Sequence, residues 1–509
     1  GTRKSLLAWA QSSWVARNIG RACPGVVVEL VGIETRGDQI QDIPLSQVSG
    51  KEFFVAEIDE ALISKKVDLT VHSMKDLSLD RPKEIFLGAI PKRENPRDII
   101  LFGPNVLQKL ENGNPIFIGT SAPRRLENIP GFIERALPQF ENRKPLVKFT
   151  EIRGNVNTRI SRLHEPLNSA RHLDGVVLAF AGLIRLWKDE KARIELRTLL
   201  QNTRWMVLPL KECPTAPAQG ALAVECRAED KFARECLAKL HDEKTEFQVE
   251  KERKLLAEWG GGCHQKFGAT AVSHSTLGEL LFIRGKLPDE TFVDELRWPI
   301  PESIFHSSEP KLWNGTQFRK EKIKTARCEI DPILSLQGNA IFVAHSRAWP
   351  VGLSARGLSE NPFRVWTSGV KSWFELAKLG VWVEGSAESL GFEWLSQTIT
   401  EGVLELPEPK FWNVFTHDRG ANGWSSENVF TTYSVVDSEK ELLQDTSDLE
   451  KADCVFWSSG SQFDAFQHLV RKEAVHACGP GKTFEHIKNV FKGQVIVFPD
   501  VEEWKKWIK

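Results

Sequence analysis

Excess charge, paired cysteines and long apolar runs are all missing from this chain, and each absence removes a class of function. Lys and Arg total 67 against 68 for Asp and Glu, a net charge of -1, so no global field recruits nucleic acid and any anion selectivity must be local. The eight cysteines, at 23, 213, 226, 236, 263, 328, 454 and 478, contain no CxxC pair. That argues against a zinc site and a disulfide framework, and makes a reducing cytoplasm the expected compartment. No stretch is apolar for long enough to span a bilayer, and the first residues have neither the basic start nor the hydrophobic run of a signal peptide. No membrane, nucleic acid or metal is therefore expected, and the protein is read as a monomer. Repeats of fixed period and low-complexity tracts are also lacking, which excludes solenoids and disordered tails. Tyrosine occurs once, at Tyr433. The opening Gly1-Thr2-Arg3-Lys4-Ser5 lacks an initiator methionine, so a few leading residues are expected to precede it.

What is present is length and an α/β rhythm. A chain of 509 residues, 41% hydrophobic, can bury several cores. Val26 to Ile33 reads as a strand, Phe53 to Lys65 as a helix and Val67 to Val71 as a strand. Ile116 to Gly119, Val147 to Ile152 and Gly175 to Ala179 read as further strands, each running into a polar or Gly-rich turn. Thr215 to Arg227 marks a re-entry into the sheet and the start of a smaller α+β domain. The reading divides the chain into 1–93 with about 203–214, 94–202, 215–298, a polar connector over 299–324, and a second α/β unit over 325–509 that lacks an evident first strand. In that second unit strands are expected at Asn339 to Val343, Arg364 to Thr367, Trp412 to Phe415, Asp453 to Ser458, His476 to Gly479 and Gln494 to Phe498.

Lys75-Asp76 follows an apolar run and so sits just past a strand's carboxyl end. A carboxylate there can accept pyrrole-type N-H groups and offset positive charge developing on a ring. In isolation a Lys-Asp pair is usually a solvated loop. The arginines shift that balance, because Arg3, Arg124, Arg125, Arg153, Arg159 and Arg185 all fall at or near turns beyond strands. Guanidinium groups bind carboxylates bidentately and stay charged when partly desolvated, so such a set suits a substrate carrying many carboxylates. Behind three glycines, Gly260 to Gly262, stands Cys263, placed to present a sulfur nucleophile to a bulky group.

Read together, Val71-His72-Ser73-Met74-Lys75-Asp76, Gly119 to Arg125, Arg153-Gly154-Asn155-Val156-Asn157-Thr158-Arg159 and Glu258 to Gly268 resemble hydroxymethylbilane synthase, also called porphobilinogen deaminase. The resemblance covers roughly residues 1 to 298. It implies a two-lobed, periplasmic-binding-protein-like α/β fold with a small third domain, and an enzyme that joins porphobilinogens head to tail with release of ammonia. It further implies a dipyrromethane cofactor held by a thioether to Cys263. By the motifs, Asp76 is the catalytic carboxylate, while Ser5, Lys75, Arg124, Arg125 and Arg159 bind the cofactor. Arg3, Arg153 and Arg185 bind substrate, and Lys51 and Phe54 belong to a mobile segment over the site. This chain departs from the family at Ser49-Gly50-Lys51-Glu52, at Ala122 and at His264 to Phe267, none of which removes a required charge.

In the second unit the expected strand ends carry Ser and Thr rather than strong acids or bases. Gly481-Lys482-Thr483 imitates the end of a phosphate-binding loop, yet the position of its first glycine is His476, which argues against nucleotide. Ile341 to Ser346, Thr432 to Val435, Val455 to Gly460 and Ala477 to Thr483, in that order, resemble uroporphyrinogen-III synthase. The resemblance implies a second two-lobed α/β enzyme that closes hydroxymethylbilane into a macrocycle, with Tyr433 and Thr483 at the catalytic positions. The alternative is a hydroxymethylbilane synthase whose C-terminal module has no catalysis; a more remote rival is a two-lobed small-anion receptor without catalysis, which the need for Cys263 separates from the enzyme.

Overall fold

The structure is a computed structural model and describes residues 1–35, 55–260, 265–302, 310–315, 324–327, 336, 339–350, 353, 363–422, 424, 426–436 and 447–508. It forms two compact units. The first holds Gly1–Arg135, Glu141–Val272 and Leu281–Arg297, and the second holds Ala136–Phe140, Ser273–Leu280 and Trp298–Lys509.

The first unit is α/β. One sheet has the order Val147–Thr150, Ile116–Gly119, Gly175–Ala179, Asp98–Phe102, Arg204–Val207. Its first three strands run parallel and Asp98–Phe102 is antiparallel to both neighbours. That strand reads Asp-Ile-Ile-Leu-Phe and is buried along its whole length, as a strand covered on both faces must be. A second sheet sets Leu222–Arg227, also fully buried, between Leu69–Ser73 and Ile85–Ala89, antiparallel to each. The sheets matter because of what leaves their strand ends. Leu69–Ser73 runs directly into the turn Met74–Asp76. Ile116–Gly119 leads to the helix Pro123–Ala136, Val147–Thr150 to the helix Val156–Ser161, and Gly175–Ala179 to the helix Phe180–Lys188. The loops before one of these helices and before the later helix Glu243–Glu258 are fixed by local chemistry. Asn155 caps Val156–Ser161 by accepting the Thr158 N-H at 2.9 Å, and Asp242 caps Glu243–Glu258 by accepting the Thr245 N-H at 2.7 Å.

The second unit is also α/β. A six-stranded sheet has the order Lys324–Arg327, Asn428–Val436, Asn413–His417, Ala340–Val343, Arg364–Thr367, Val383–Ser386, parallel except at the Lys324–Arg327 edge. A four-stranded parallel sheet has the order Leu312–Trp313, Cys454–Trp457, Val475–Cys478, Val495–Val497. Tryptophan fills its interior: Trp313, Trp366, Trp373, Trp412, Trp457 and Trp504 are among the largest fully buried side chains.

Three expectations need correcting. Of Val26 to Ile33 only Gly32–Ile33 forms a strand; Val26 and Val28 are partly buried against the core while Val27 is 94% exposed, so the run packs one face without strand pairing. The stretch read as a plain connector over 299–324 contains the strand Leu312–Trp313. Its cause is one side chain, since Trp313 is fully buried and meets Trp457 edge to face at 5.6 Å. The second unit does have an early strand, Lys324–Arg327, which pairs antiparallel with the strand carrying Tyr433. Its sequence Lys-Thr-Ala-Arg has no apolar run to announce it, as is common at a sheet edge. Among the described residues no helix is long and apolar enough to cross a membrane.

Candidate active site

Asp76 stands on the single turn Met74–Asp76 and its side chain is exposed, available to a ligand. The turn is anchored by the Met74 N-H, which donates to the Ala221 carbonyl at 3.0 Å. Next to it Lys75 is half-buried and donates through Nζ to Gln219 Oε1 at 3.2 Å. Loss of water around the ammonium lowers the Lys75 pKa to about 8; Asp76 opposes that shift and Arg125 and Arg124 add to it.

Arg124 and Arg125 lie in the first turn of Pro123–Ala136, both buried, and converge on one carboxylate. Arg124 donates to Asp98 at 2.6 and 3.4 Å, and Arg125 at 3.0 and 2.7 Å. Asp98 is 1% exposed. Burial alone would raise its pKa, but the two guanidiniums hold it far below the ordinary carboxylate range. Burial lowers the Arg124 pKa against the opposing pull of Asp98.

Gln219 is the hub of this arrangement. Fully buried, it donates through Nε2 to Asp98 at 2.8 Å and to the Pro96 carbonyl at 2.7 Å, while its Oε1 accepts from both Lys75 and Arg124 at 3.2 Å. The following residue, Gly220, has φ +89° and turns its carbonyl to Arg185, which donates at 2.6 Å. Arg159 donates through Nε to the Gly154 carbonyl at 2.8 Å, and burial lowers its pKa to about 10 with Arg125 and Arg153 adding to the shift. Burial likewise lowers Arg185 to about 10, with Glu94 opposing.

Lys75, Arg124, Arg125, Arg153 and Arg159 thus belong to one electrostatic neighbourhood whose carboxylates are Asp76 and Asp98. Within this set the cations outnumber the anions, and neighbouring guanidiniums add to the depression that burial imposes on Lys75, Arg124 and Arg159, a condition suited to taking up a polyanion. Arg185 joins through Gly220. Arg3 sits on the strand Thr2–Arg3 and lowers the pKa of His72, on the strand that leads to Asp76. Ser5 caps the first long helix, Leu6–Ala22, its hydroxyl oxygen accepting the Ala8 N-H at 3.3 Å. Cys263, Lys51 and Phe54 lie outside the described residues.

Asp98 and Gln219 are not among the residues that the motifs pick out. The one sign for Asp98 in the sequence is a lone acid at the mouth of an otherwise apolar strand. Gln219 stands inside the segment Thr215 to Arg227, whose pattern marks a domain boundary.

Among the described residues one other cluster has the donors of a metal site. Ligand atoms of Asp59, His72 and Glu225, all buried, lie within 4.8 Å of one another. Arg81 spans both carboxylates with four hydrogen bonds of 2.7 to 2.8 Å and so supplies the compensating charge itself. Burial first, and then Arg81, lowers the His72 pKa to about 3, so a neutral imidazole completes the cluster.

In the second unit Tyr433 is 5% exposed and faces His417, with ring centroids 5.6 Å apart. Burial raises the Tyr433 pKa and lowers that of His417. Lys482 acts electrostatically on His417, donates to the Asn422 carbonyl at 3.0 Å, and lies 3.5 Å from the centroid of the Trp424 ring. Burial lowers its pKa to about 7. Thr483 follows it in the first turn of the helix Lys482–Val490. Other strand-end hydroxyls serve the backbone: Ser459 caps Gly460–Phe466 and Ser368 donates to the Ala344 carbonyl at 2.6 Å.

A family model described as porphobilinogen deaminase, dipyromethane cofactor binding domain, matches residues 1–235. The porphobilinogen deaminase of Listeria monocytogenes serotype 4a is 38% identical over 264 residues, spanning 52% of this chain and 77% of the relative. That of Trichlorobacter lovleyi is 38% identical over 305 residues, spanning 60% of this chain and 88% of the relative. Among solved structures, YhfZ from Shigella flexneri covers 51% of this chain and 89% of its own at 12% identity and a TM-score of 0.23, too low a score to bear on the fold.

Proposed function

The chain belongs to the porphobilinogen deaminase family, and from that premise we propose that Asp76 is its catalytic carboxylate, Cys263 its cofactor attachment point, and the second unit a uroporphyrinogen-III synthase. Deaminase activity on porphobilinogen resides in the N-terminal half, which includes the dipyrromethane-binding domain. The observation that carries the residue assignment is the surplus of buried and half-buried cations around Gln219. Each ring of the cofactor and of the substrate bears an acetate and a propionate, so this donor set fits what it has to hold.

When bound, the dipyrromethane supplies the pyrrole carbon that incoming units extend. The protein's part is positioning and charge. Lys75 and Arg124, tied to one amide oxygen, present their remaining donors as a fixed pair to ring carboxylates. Arg153, Arg159 and Arg185 extend the same field, and Arg3 approaches from the strand beside Leu69–Ser73. Asp76 accepts a pyrrole N-H and offsets the positive charge that grows on the ring as ammonia departs. Because this carboxylate and its cations are set before substrate arrives, little reorganisation is left for the reaction step.

For the second unit the supporting observation is the pairing of Tyr433 with His417 and the near-neutral Lys482 beside the Thr483 turn. A buried phenol and an amine that titrates near pH 7 are suited to orienting a carboxylated bilane during ring closure. Fusion would also shorten the free life of an unstable product.

Two measurements test the proposal. Intact-protein mass spectrometry of enzyme from a porphobilinogen-making host should show a dipyrromethane adduct that Cys263→Ser abolishes. Given porphobilinogen, the full chain should yield mainly the type III isomer, and Tyr433→Phe should shift the product toward type I. An unmodified, active protein removes the Cys263 assignment, and type I alone from the full chain removes the second activity.

A further inference from the structure

We propose that Arg253 is a positioning residue for the deaminase reaction, holding the Asp76 turn in place from the helix that leads to Cys263. The inference rests on the reading of Asp76 as the catalytic carboxylate. Arg253 lies on Glu243–Glu258, which ends a few residues before Cys263 in the sequence. Its guanidinium makes a fork on the backbone around Asp76: one terminal nitrogen donates to the Met74 and Leu77 carbonyls at 3.3 Å each, and the other to the Ser78 carbonyl at 2.8 Å.

The geometry brackets the carboxylate. Met74 and Leu77 flank Lys75-Asp76 on either side, and Leu77 is the residue at which the turn Met74–Asp76 ends. The Leu77 and Ser78 carbonyls lie past the end of the turn, beyond the reach of its own N-H groups, so a cationic donor is a suitable partner for them. Apart from this fork, the Met74 N-H to the Ala221 carbonyl and the 3.3 Å bond from the Leu77 N-H to the Met74 carbonyl secure the turn's backbone. Neither fixes the chain after Leu77. The planar fork reaches three carbonyls at once, which the single ammonium of lysine cannot do with the same geometry.

The same helix carries Glu252, whose carboxylate takes both ends of Arg93 at 2.7 and 3.0 Å and the Ala218 and Ala271 N-H groups. Arg93 in turn donates to the Gln219 carbonyl at 2.8 Å. Consecutive residues on one helix therefore brace two parts of the site: Glu252 the Gln219 segment, Arg253 the Asp76 turn. The helix thereby holds the Asp76 turn and the Gln219 segment from one rigid element.

The test is steady-state ammonia release by the full chain, with cofactor occupancy normalised by intact mass and the melting temperature recorded for each variant. Arg253→Ala and Arg253→Lys should both lower kcat by roughly ten- to a hundredfold, the scale of an ångström-level misplacement, with KM changed less than about threefold. Placed on Asp76→Asn, Arg253→Ala should cost less than about threefold more, because both act through one group. If Arg253→Ala does not fold, the lysine variant, which keeps the charge, decides. Near-normal kcat in Arg253→Lys, or losses that multiply in the double variant, would overturn the proposal while leaving Asp76 untouched. Near-normal turnover by Asp76→Asn would overturn the reading of Asp76 instead.

Discussion

Asp98→Asn isolates what one buried carboxylate does for the whole cationic site. The native side chain accepts from Arg124, Arg125 and Gln219 through contacts of 2.6 to 3.4 Å and is itself 1% exposed. Asparagine keeps the shape but offers one acceptor oxygen and turns an NH2 toward donors, leaving two buried guanidiniums without a counter-ion. Removing one partner of a buried pair costs about 3–5 kcal/mol, and the upper end applies where two cations share the anion. In a unit of this size each kcal/mol moves the midpoint about 2–4 °C, so melting of the first unit should fall by roughly 10–20 °C. Calorimetry, supported by hydrogen exchange of the Ile99 to Leu101 amides, resolves this transition from that of the second unit. The pH dependence fixes the sign. The Asp98 pKa is depressed in the folded state, so its contribution is complete above the unfolded value of about 3.9 and drains away as pH falls below it. The stability gap between wild type and variant should therefore narrow in acid. A midpoint shift under about 3 °C at neutral pH, or a gap that stays constant in acid, would refute the view that Asp98 holds the arginines together.

Lys75, with its pKa lowered to about 8, should be charged in the free enzyme below that pH and neutral above it. kcat/KM for porphobilinogen is expected to fall as pH rises through about 8, and Lys75→Arg should move that limb upward; an unmoved limb assigns it elsewhere. The folded state also releases this proton before the unfolded chain does, so Lys75 contributes a rise in stability between about 8 and its ordinary value, visible in a pH series of melts. Gly220→Ala should destabilise by roughly 2 kcal/mol or more, since φ is +89° and the new Cβ would lie 2.6 Å from the Glu94 carbonyl oxygen. Urea denaturation reads the loss. Lys482→Gln should lower the type III share of product while sparing ammonia release, because the ammonium serves only the second unit; an unchanged isomer ratio denies it that role.

Much of the first unit was legible, because the strands of its candidate site run out into charged residues. Lys75-Asp76, Arg124-Arg125 and Arg153 to Arg159 follow apolar runs and their positions needed only the α/β rhythm to be read. What escaped was the connective chemistry. Asp98 begins a strand and looks like its solvent edge; nothing local says that two arginines from a later helix close over it. Gln219 is neutral, and its importance comes from four partners spread across the chain. Arg253 acts through backbone carbonyls, which leave no trace in the pattern of side chains. Short elements failed for a related reason: Leu312–Trp313 exists because Trp313 finds Trp457, a tertiary cause that a two-residue strand cannot display.

The surplus of positive charge around Gln219 also explains why the site is so heavily braced. Cations whose pKa values fall to about 8 at Lys75 and about 10 at Arg159 are held at a cost of a few kcal/mol each. A structure can tolerate that only if neighbouring groups fix the charges so firmly that they cannot relax into water. Asp98 pins two of them, Gln219 couples a third, and the carbonyls of Gly154 and Gly220 hold Arg159 and Arg185. The same bracing makes the field useful, because donors that do not move gain their full interaction when carboxylates replace water. Under the proposed function, the stability withheld by holding these charges is recovered when a polyanion binds, so a net charge of -1 is no bar to selecting one.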